Sequence, residues 1–362
     1  MVDAPTAGPE RPTLVERFLG MFHLPYLLAC LILGALVGPV GQFLGIYLDT
    51  LSLDKAFTGT FLFSYSGAPV PVEVGLFGFA SYFLVIFWVF YGLGYLRLKL
   101  ISAEQALSEL SPDGETGFHR AFGGISSNKT PVILSTVLSI VFLSTYLFGF
   151  SSPPGVCIWC GGFFLPLYGW LSTILTSVGL SWFVWIYFRS LWGIHLFGKG
   201  PLRLKSFYED RMLGLRPVGS LALTFALVFF VLGALGILSL LISPDPFSIV
   251  VITALIVFGV VMFFLPLNSI HAKMMSAKQS TQHSVRLNFV RLLDGTVPGE
   301  GDSPGMLSDL KKLISHQMVE QKANSISTWP FDATIIGRFA AIIISVLAIM
   351  MAKGIQILIG VK

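Results

Sequence analysis

The sequence predicts an all-α fold: a polytopic membrane protein with a seven-helix transmembrane bundle and a cytoplasmic helical extension between helices six and seven. Hydrophobic residues make up 54% of the 362 positions and charged residues only 12%, with a mean hydropathy of +0.79. Soluble domains carry about 25% charged residues. The apolar residues gather in seven long stretches. Because hydrocarbon holds no water to satisfy backbone amides, such stretches must cross as helices.

Each predicted span has the roughly 20 residues that crossing the hydrocarbon core requires. The spans lie near 22–47, 76–97, 131–150, 163–188, 217–242, 247–267 and 334–359. They divide the chain into four parts: a cytoplasmic segment at 1–19, helices one to six within 20–267, a cytoplasmic amphipathic helical segment at 268–333, and helix seven with an outside C-terminus at 334–362. Residues 1–19 are polar and proline-rich and lack the order of a signal peptide.

Proline and glycine predict local features of the spans. Pro39 and Pro166 could break spans one and four, and broken helices expose backbone carbonyls that can bind ions. Simple kinking is the alternative. Span one also repeats small residues at a spacing that allows close helix contact. We expect these glycines to pack inside the bundle, with dimerisation as the alternative: Gly34, Gly38, Gly41 and Gly45.

Two amphipathic helices are predicted between spans six and seven. Span six is expected to continue past the membrane, because one helical face collects the apolar residues Val285, Phe289, Leu292 and Leu293. After a flexible break, the same spacing recurs at Met306, Leu310, Leu313 and Ile314. We expect the two faces to pack on each other, on the loop around 203–216 or on a neighbouring subunit. Lying flat on the membrane is the alternative.

Basic residues set the predicted orientation. Of the 23 Lys and Arg, all but three lie on one side of the spans. The three on the other side are Lys55, Lys353 and Lys362. Because cytoplasmic loops are the ones enriched in Lys and Arg, the N-terminus is predicted to be cytoplasmic and the C-terminus outside, in a multi-pass protein of the cell membrane. Basic residues beside membrane spans favour the lipid bilayer as a partner and disfavour nucleic acid.

Several chemistries lack the residues that they need inside the spans. All six His fall at cytoplasmic ends or in cytoplasmic loops, whereas buried haem needs axial ligands at depth. Lys353 could carry retinal, but no Asp or Glu lies inside a predicted span to serve as its counter-ion. Since no nucleophile–base or paired-carboxylate arrangement is apparent, we expect no cofactor, no metal site and no enzyme.

Cys157 and Cys160 lie in the predicted outer loop between spans three and four. Thiols outside the cell can oxidise, so the pair could form a small structural disulfide or remain as two free thiols. Redox catalysis is the alternative, but the one other cysteine, Cys30, lies alone in span one. Two thiols cannot by themselves complete a zinc site.

The polar residues of span seven, Ser345, Lys353 and Gln356, are the predicted pore-lining residues. Lys353 and Gln356 are three positions apart and share a helix face. Ser345 lies about 80° round the helix from Lys353. Because a polar stripe is costly in lipid, these residues could line a water-filled axis between subunits. Snorkelling or bonding to neighbouring helices is the alternative.

The whole topology resembles the seven-transmembrane chemoreceptor ion channels: the insect odorant and gustatory receptors and gustatory-receptor-like proteins. The shared features are seven helices, an inside N-terminus, an outside C-terminus just after span seven, and a long cytoplasmic loop before it with a helical extension of span six. The resemblance implies a homo-oligomeric ion channel or ligand-gated receptor with a small ligand or ion as partner. It also implies that the cytoplasmic helices anchor the oligomer and span seven lines the pore.

Two other functions stay open. A small-molecule transporter could use the broken helices, and a non-conducting membrane sensor or scaffold would need no pore.

Overall fold

The computed structural model describes residues 12–54, 56, 72–147, 163–240, 246–294, 306–330 and single positions between 337 and 351. Within these residues the regular structure is helical, with no β-strand. The helices are α1 (Leu14–Gly20), α2 (Tyr26–Ala35), α3 (Gly41–Thr50), α4 (Val72–Leu110), α5 (Glu115–Phe122), α6 (Lys129–Leu147), α7 (Phe164–Lys199), α8 (Arg216–Leu240), α9 (Pro246–Asp294) and α10 (Met306–Asn324). A π-helical turn, Leu36–Val40, joins α2 to α3, and a 3-10 turn, Gly123–Ser126, follows α5.

Six helical stretches of the described chain are long and apolar enough to cross a membrane. They match predicted spans one to six: Tyr26–Thr50, Phe79–Leu110, Glu115–Ser144, Phe164–Lys199, Arg216–Ile237 and Thr253–Asn288. The chain is therefore an integral membrane protein of the helical class. The predicted seventh span, 334–359, lies mostly outside the described residues, so the count of seven stays a prediction.

Three of the helices are longer than a bilayer requires. α4 has 39 residues, α7 has 36 and α9 has 49. At 1.5 Å per residue they measure about 58, 54 and 74 Å, against a hydrocarbon core of about 30 Å. Because they are alternate spans, all three project from the same end of the bundle. We call it the basic end, since the C-terminal parts of α4, α7 and α9, together with the segments that follow them, carry most of the Lys and Arg. Its cytoplasmic location stays a prediction.

α7 is the central helix of the bundle and contacts α3, α4, α5, α6 and α9. Its large side chains Phe183, Ile186 and Tyr187 are fully buried. Glycine lets a neighbour come close: a Cβ atom at Gly179 would lie 2.7 Å from the ring of Phe90 on α4. This close packing makes α7 the axis on which the other spans are arranged.

The glycines of span one pack inside the bundle, as predicted. Cβ atoms at Gly34 and Gly38 would lie 3.3 and 3.7 Å from atoms of Phe83 on α4. Cβ atoms at Gly41 and Gly45 would instead contact side chains of α7. Span one therefore changes its packing partner from α4 to α7 at the π-helical turn, which contains Gly38.

The segment before span one contains a partly buried helix, α1. A capping box begins it: the Thr13 hydroxyl accepts a hydrogen bond from the Glu16 amide at 3.3 Å, and the Glu16 carboxylate accepts one from the Thr13 amide at 2.8 Å. Val15 and Leu19 are buried against the bundle. Because residues 1–19 are polar and proline-rich, their composition did not predict this helix.

Candidate functional site at the basic end of the bundle

The predicted pore-lining and cysteine residues fall mostly outside the described chain. Cys157, Cys160, Lys353 and Gln356 all lie there. Ser345 is exposed, and its hydroxyl donates to the carbonyl of Ala341 in the preceding turn at 2.8 Å. This bond satisfies the Ser345 hydroxyl within its own helix, and pore lining by span seven stays a prediction.

Pro39 does break span one. The backbone of Gly38 is non-helical, with φ −97° and ψ −107°. The Tyr168 hydroxyl of α7 lies 2.6 Å from both the Val37 and Gly38 carbonyl oxygens and donates to them. The break therefore presents carbonyls to another helix of the same chain.

Pro166 does not break span four, so that prediction is wrong. It lies in the first turn of α7, which begins at Phe164, and the first-turn amides have no intrahelical partner to lose. Asp49 of α3 satisfies this helix start instead: its carboxylate accepts hydrogen bonds from the amides of Phe163, Phe164 and Leu165 at 2.8–2.9 Å.

At the basic end, α9 and α10 form a helical hairpin. Lys278 of α9 donates from Nζ to the carbonyl oxygens of Asn324 at 3.0 Å and Ile326 at 2.9 Å, and so caps the C-terminus of α10. Gln282 adds a bond to the Asn324 side chain at 2.8 Å. A cation on the terminal carbonyls of a helix is favourable for both hydrogen bonding and the helix dipole. The two helices therefore contact each other, as predicted, but Ile314, on the apolar face predicted to be covered, is 52% exposed.

The hairpin also rests on the segment between α7 and α8. Lys322 of α10 donates to the Tyr208 carbonyl at 3.0 Å and lies over the Tyr208 ring, 5.2 Å from its centroid. After α10 the Ser327 amide donates to the Arg211 carbonyl at 3.1 Å. The predicted contact with the loop around 203–216 is present as well.

The chain then returns to the bundle through an aromatic anchor, His271 and Trp329. Their rings stack with centroids 4.3 Å apart and an interplanar angle of 19°. The His271 Nδ1 lies 2.6 Å from the Thr328 carbonyl oxygen, and because a carbonyl can only accept, Nδ1 carries the proton. The anchor ties α9 to the chain five residues before predicted span seven.

A cavity of about 490 Å³ opens between the hairpin and the segment after α7. Phe207 and Tyr208, with ring centroids 4.0 Å apart, give it an aromatic wall. The hydroxyls of Ser280 and Ser284 donate to carbonyls in the preceding turn of α9 at 2.9 Å, which leaves their oxygens as acceptors. The remaining lining residues include no Asp, Glu, Lys or Arg: Thr281, Val285, Asn288, Ser315, His316 and Val319.

A second cavity of about 410 Å³ adjoins the first and shares Val285 and His316 with it. Its lining adds charged side chains, including Arg286 and Glu320. The His316 Nε2 lies 3.1 Å from the Val285 carbonyl oxygen and joins α10 to α9 between the two cavities. Both volumes fall in the range of small-molecule sites. The arrangement is suited to binding a small, uncharged molecule with hydrogen-bond donors and a flat apolar part.

Comparison with known proteins returns no relative. The chain matches no family model, no curated protein and no solved structure. Among the described residues, no group of His, Cys, Asp and Glu could hold a metal ion.

Sequence reasoning located the hairpin but missed its cavity. The loop around 203–216 was expected to contact the hairpin, but it has no periodic pattern that would single out Phe207 and Tyr208 as the wall of a cavity. The signal that could have found α1 was Thr13-x-x-Glu16, a capping-box pattern before apolar residues.

Proposed function

We propose that the protein is a homo-oligomeric ion channel gated by a small ligand at the basic end. The observation that carries the proposal is the continuity of α9. One unbroken helix joins predicted span six to both cavities. A ligand that binds one arrangement of the hairpin more tightly shifts the equilibrium of everything rigidly joined to it.

The aromatic anchor provides the connection to the pore. A tilt of α9 at the cavity would carry His271 and move Trp329, which stacks on it. Trp329 leads directly into predicted span seven, where we place the pore-lining residues Ser345, Lys353 and Gln356. Coupling between two sites needs such a contiguous element with two arrangements.

Exposed apolar side chains on the hairpin support an oligomer. Ile314 and Met318 of α10 lie one turn apart and are 52% and 66% exposed, and Leu287 and Val290 of α9 are 45% and 47% exposed. Beyond the membrane such side chains are costly in water. We infer that hairpins of neighbouring subunits cover them, so that the hairpin is the anchor of the assembly.

The test is current recording from protein reconstituted in planar bilayers under a KCl gradient. Lys353 lies near the outer end of predicted span seven, where its charge opposes cation entry. We expect Lys353→Glu to move the reversal potential towards the potassium equilibrium potential. Lys362→Glu reverses a cation beyond the span and is the matched control, which should leave the reversal potential unchanged. No current from wild type, or equal shifts in both variants, would contradict a pore at span seven.

A cavity-filling variant tests the gating half of the proposal. Ser284→Trp places a large ring into the cavity beside Phe207 and should change the open probability while leaving ion selectivity unchanged. Gln279→Trp, at an exposed position of α9 that lines neither cavity, controls for the added bulk. An open probability that responds equally to both variants would separate gating from the cavity.

A small-molecule transporter is the second candidate, and the break at Pro39 favours it. Transporter sites use broken helices whose carbonyls coordinate Na⁺. Such a site would show Na⁺-dependent thermal stabilisation that Tyr168→Phe alters, because Tyr168 occupies the carbonyls. Equal melting temperatures in NaCl and choline chloride, for both proteins, would remove this candidate. A non-conducting sensor or scaffold is what remains if neither current nor Na⁺ dependence is found.

A further inference from the structure

α1 presents three different faces around its axis. At about 100° per residue, the exposed apolar residues Leu14, Phe18 and Met21 fall within about 60° of one another. They are 49%, 40% and 72% exposed. The buried residues Val15 and Leu19 centre roughly 110° round the helix from them.

The third face of α1 is polar and open. Arg17 and Gly20 are both exposed and lie about 100° from the exposed apolar face, on the side away from the buried residues. A helix in bulk water needs only a buried face and a polar face. An exposed apolar face between those two fits a helix that meets protein, lipid and water at once.

The exposed apolar face continues into the surface of span one. Leu24, Leu27 and Leu28 follow it in the chain and are 38%, 50% and 41% exposed. Leu27 and Leu28 belong to span one, which crosses the bilayer, so their exposed side chains face hydrocarbon. Exposed apolar residues therefore continue from α1 through Phe22, whose ring lies 5.4 Å from that of Phe18, into span one.

A nearly dry ion pair fixes the orientation of α1. The Arg97 guanidinium of α4 lies 2.6 Å from the Glu16 carboxylate, with the two side chains 10% and 12% exposed. The same Glu16 oxygen accepts hydrogen bonds from the Thr13 amide at 2.8 Å and the Thr13 hydroxyl at 2.9 Å. Charged hydrogen bonds of this kind are strong and directional, so α1 cannot rotate without breaking them.

We propose that α1 is an interfacial membrane anchor. Leu14, Phe18 and Met21 lie at the boundary between headgroups and acyl chains of the leaflet at the basic end, and Arg17 lies among the headgroups. The Glu16–Arg97 ion pair holds α1 in that plane and positions the start of span one against α4. The anchor is independent of conduction and of any ligand.

The test measures which solvent surrounds each face of α1 in the full-length protein. Single cysteines replace Leu14, Phe18 or Met21, and Arg17 or Gly20 serve as matched controls. Two cysteines, Cys157 and Cys160, are changed to serine; Cys30 is fully buried and remains. An NBD fluorophore is attached, and the protein is reconstituted in vesicles of phosphatidylcholine and phosphatidylglycerol.

Lipid carrying a doxyl quencher near the headgroup should quench the apolar-face labels at least twofold more than the control labels. Aqueous iodide should show the opposite order. Equal iodide quenching at all positions would place α1 in water. Apolar-face labels that neither quencher reaches would show that protein, such as a second copy of the chain, covers this face. Either result overturns the proposal.

The ion pair has its own readout. Glu16→Gln removes the charge but keeps the shape, and it should make the Met21 label more accessible to iodide by at least twofold. An unchanged accessibility would show that Arg97 does not hold α1 in the interface. The melting temperature and elution volume of the variant establish that it is folded.

Discussion

Lys278 should stabilise the C-terminal turn of α10 against local unfolding. Its ammonium group donates to two backbone carbonyls, at Asn324 and Ile326, at 3.0 and 2.9 Å. A hydrogen bond to a charged group contributes about 1.5–3 kcal/mol. Lys278 is half-exposed, so solvent screening reduces the pair to roughly 1.5–2 kcal/mol in total. Lys278→Met removes the charge and keeps most of the aliphatic stem.

Hydrogen exchange measures this loss directly. Amide exchange in folded protein reports the free energy of local opening, and each 1.4 kcal/mol changes an equilibrium about tenfold. Amides near the end of α10 should therefore exchange about ten- to thirtyfold faster in Lys278→Met. Exchange in the centre of α7 should not change, because that helix is buried among other spans.

Arg286→Met is the matched control for the lysine prediction. Arg286 is an exposed cation about two turns further along α9. Its replacement changes the net charge equally but leaves the cap on α10 in place, so exchange at the end of α10 should change less than about twofold. Equal acceleration in both variants would attribute the effect to charge, and no acceleration in Lys278→Met would refute the cap.

Three further predictions concern packing, capping and orientation. Gly94→Ala should destabilise the bundle by about 2–3 kcal/mol in denaturant unfolding, because its Cβ would lie 2.4 Å from the ring of Tyr26, the first residue of α2. Gly169→Ala is the control: its added Cβ would have nothing within 4 Å, so the change should be neutral or stabilising. Similar effects of the two changes would show that the Tyr26 ring does not pack against Gly94. Asp49→Asn should cost about 1–2 kcal/mol in the same assay, since one amide oxygen replaces a carboxylate that accepts three amides; an unchanged stability would contradict the cap. With Cys157 and Cys160 changed to serine, an impermeant thiol reagent on intact cells should label Asp54→Cys and not Ser308→Cys, and the reverse pattern would invert the proposed orientation.

The sequence predicts the spans well because hydrophobic length is a local property. Six of the predicted spans coincide with membrane-compatible helices. The apolar spacing around Val285 correctly predicted that α9 continues past span six. The break at Pro39 was predictable too, since proline removes a hydrogen-bond donor wherever it stands. The break predicted at Pro166 was wrong because the effect of a proline depends on where the helix begins. Helix boundaries are the least certain part of such predictions.

The contacts of the candidate site depend on tertiary register instead. Lys278 and Asn324 are 46 positions apart, and His271 and Thr328 are 57 apart. No local pattern marks such partners, because any lysine on α9 could in principle reach a helix end. The cavity likewise arises where a loop without periodicity, containing Phe207, meets the hairpin.

The measurement that tests the central claim most directly is the assembly of the purified protein in lipid nanodiscs, imaged by electron cryomicroscopy. The account predicts a symmetric ring in which α9–α10 hairpins contact one another through Ile314 and Met318, with predicted span seven at the central axis. A monomer, or a ring with that helix facing lipid at the periphery, would contradict the channel proposal.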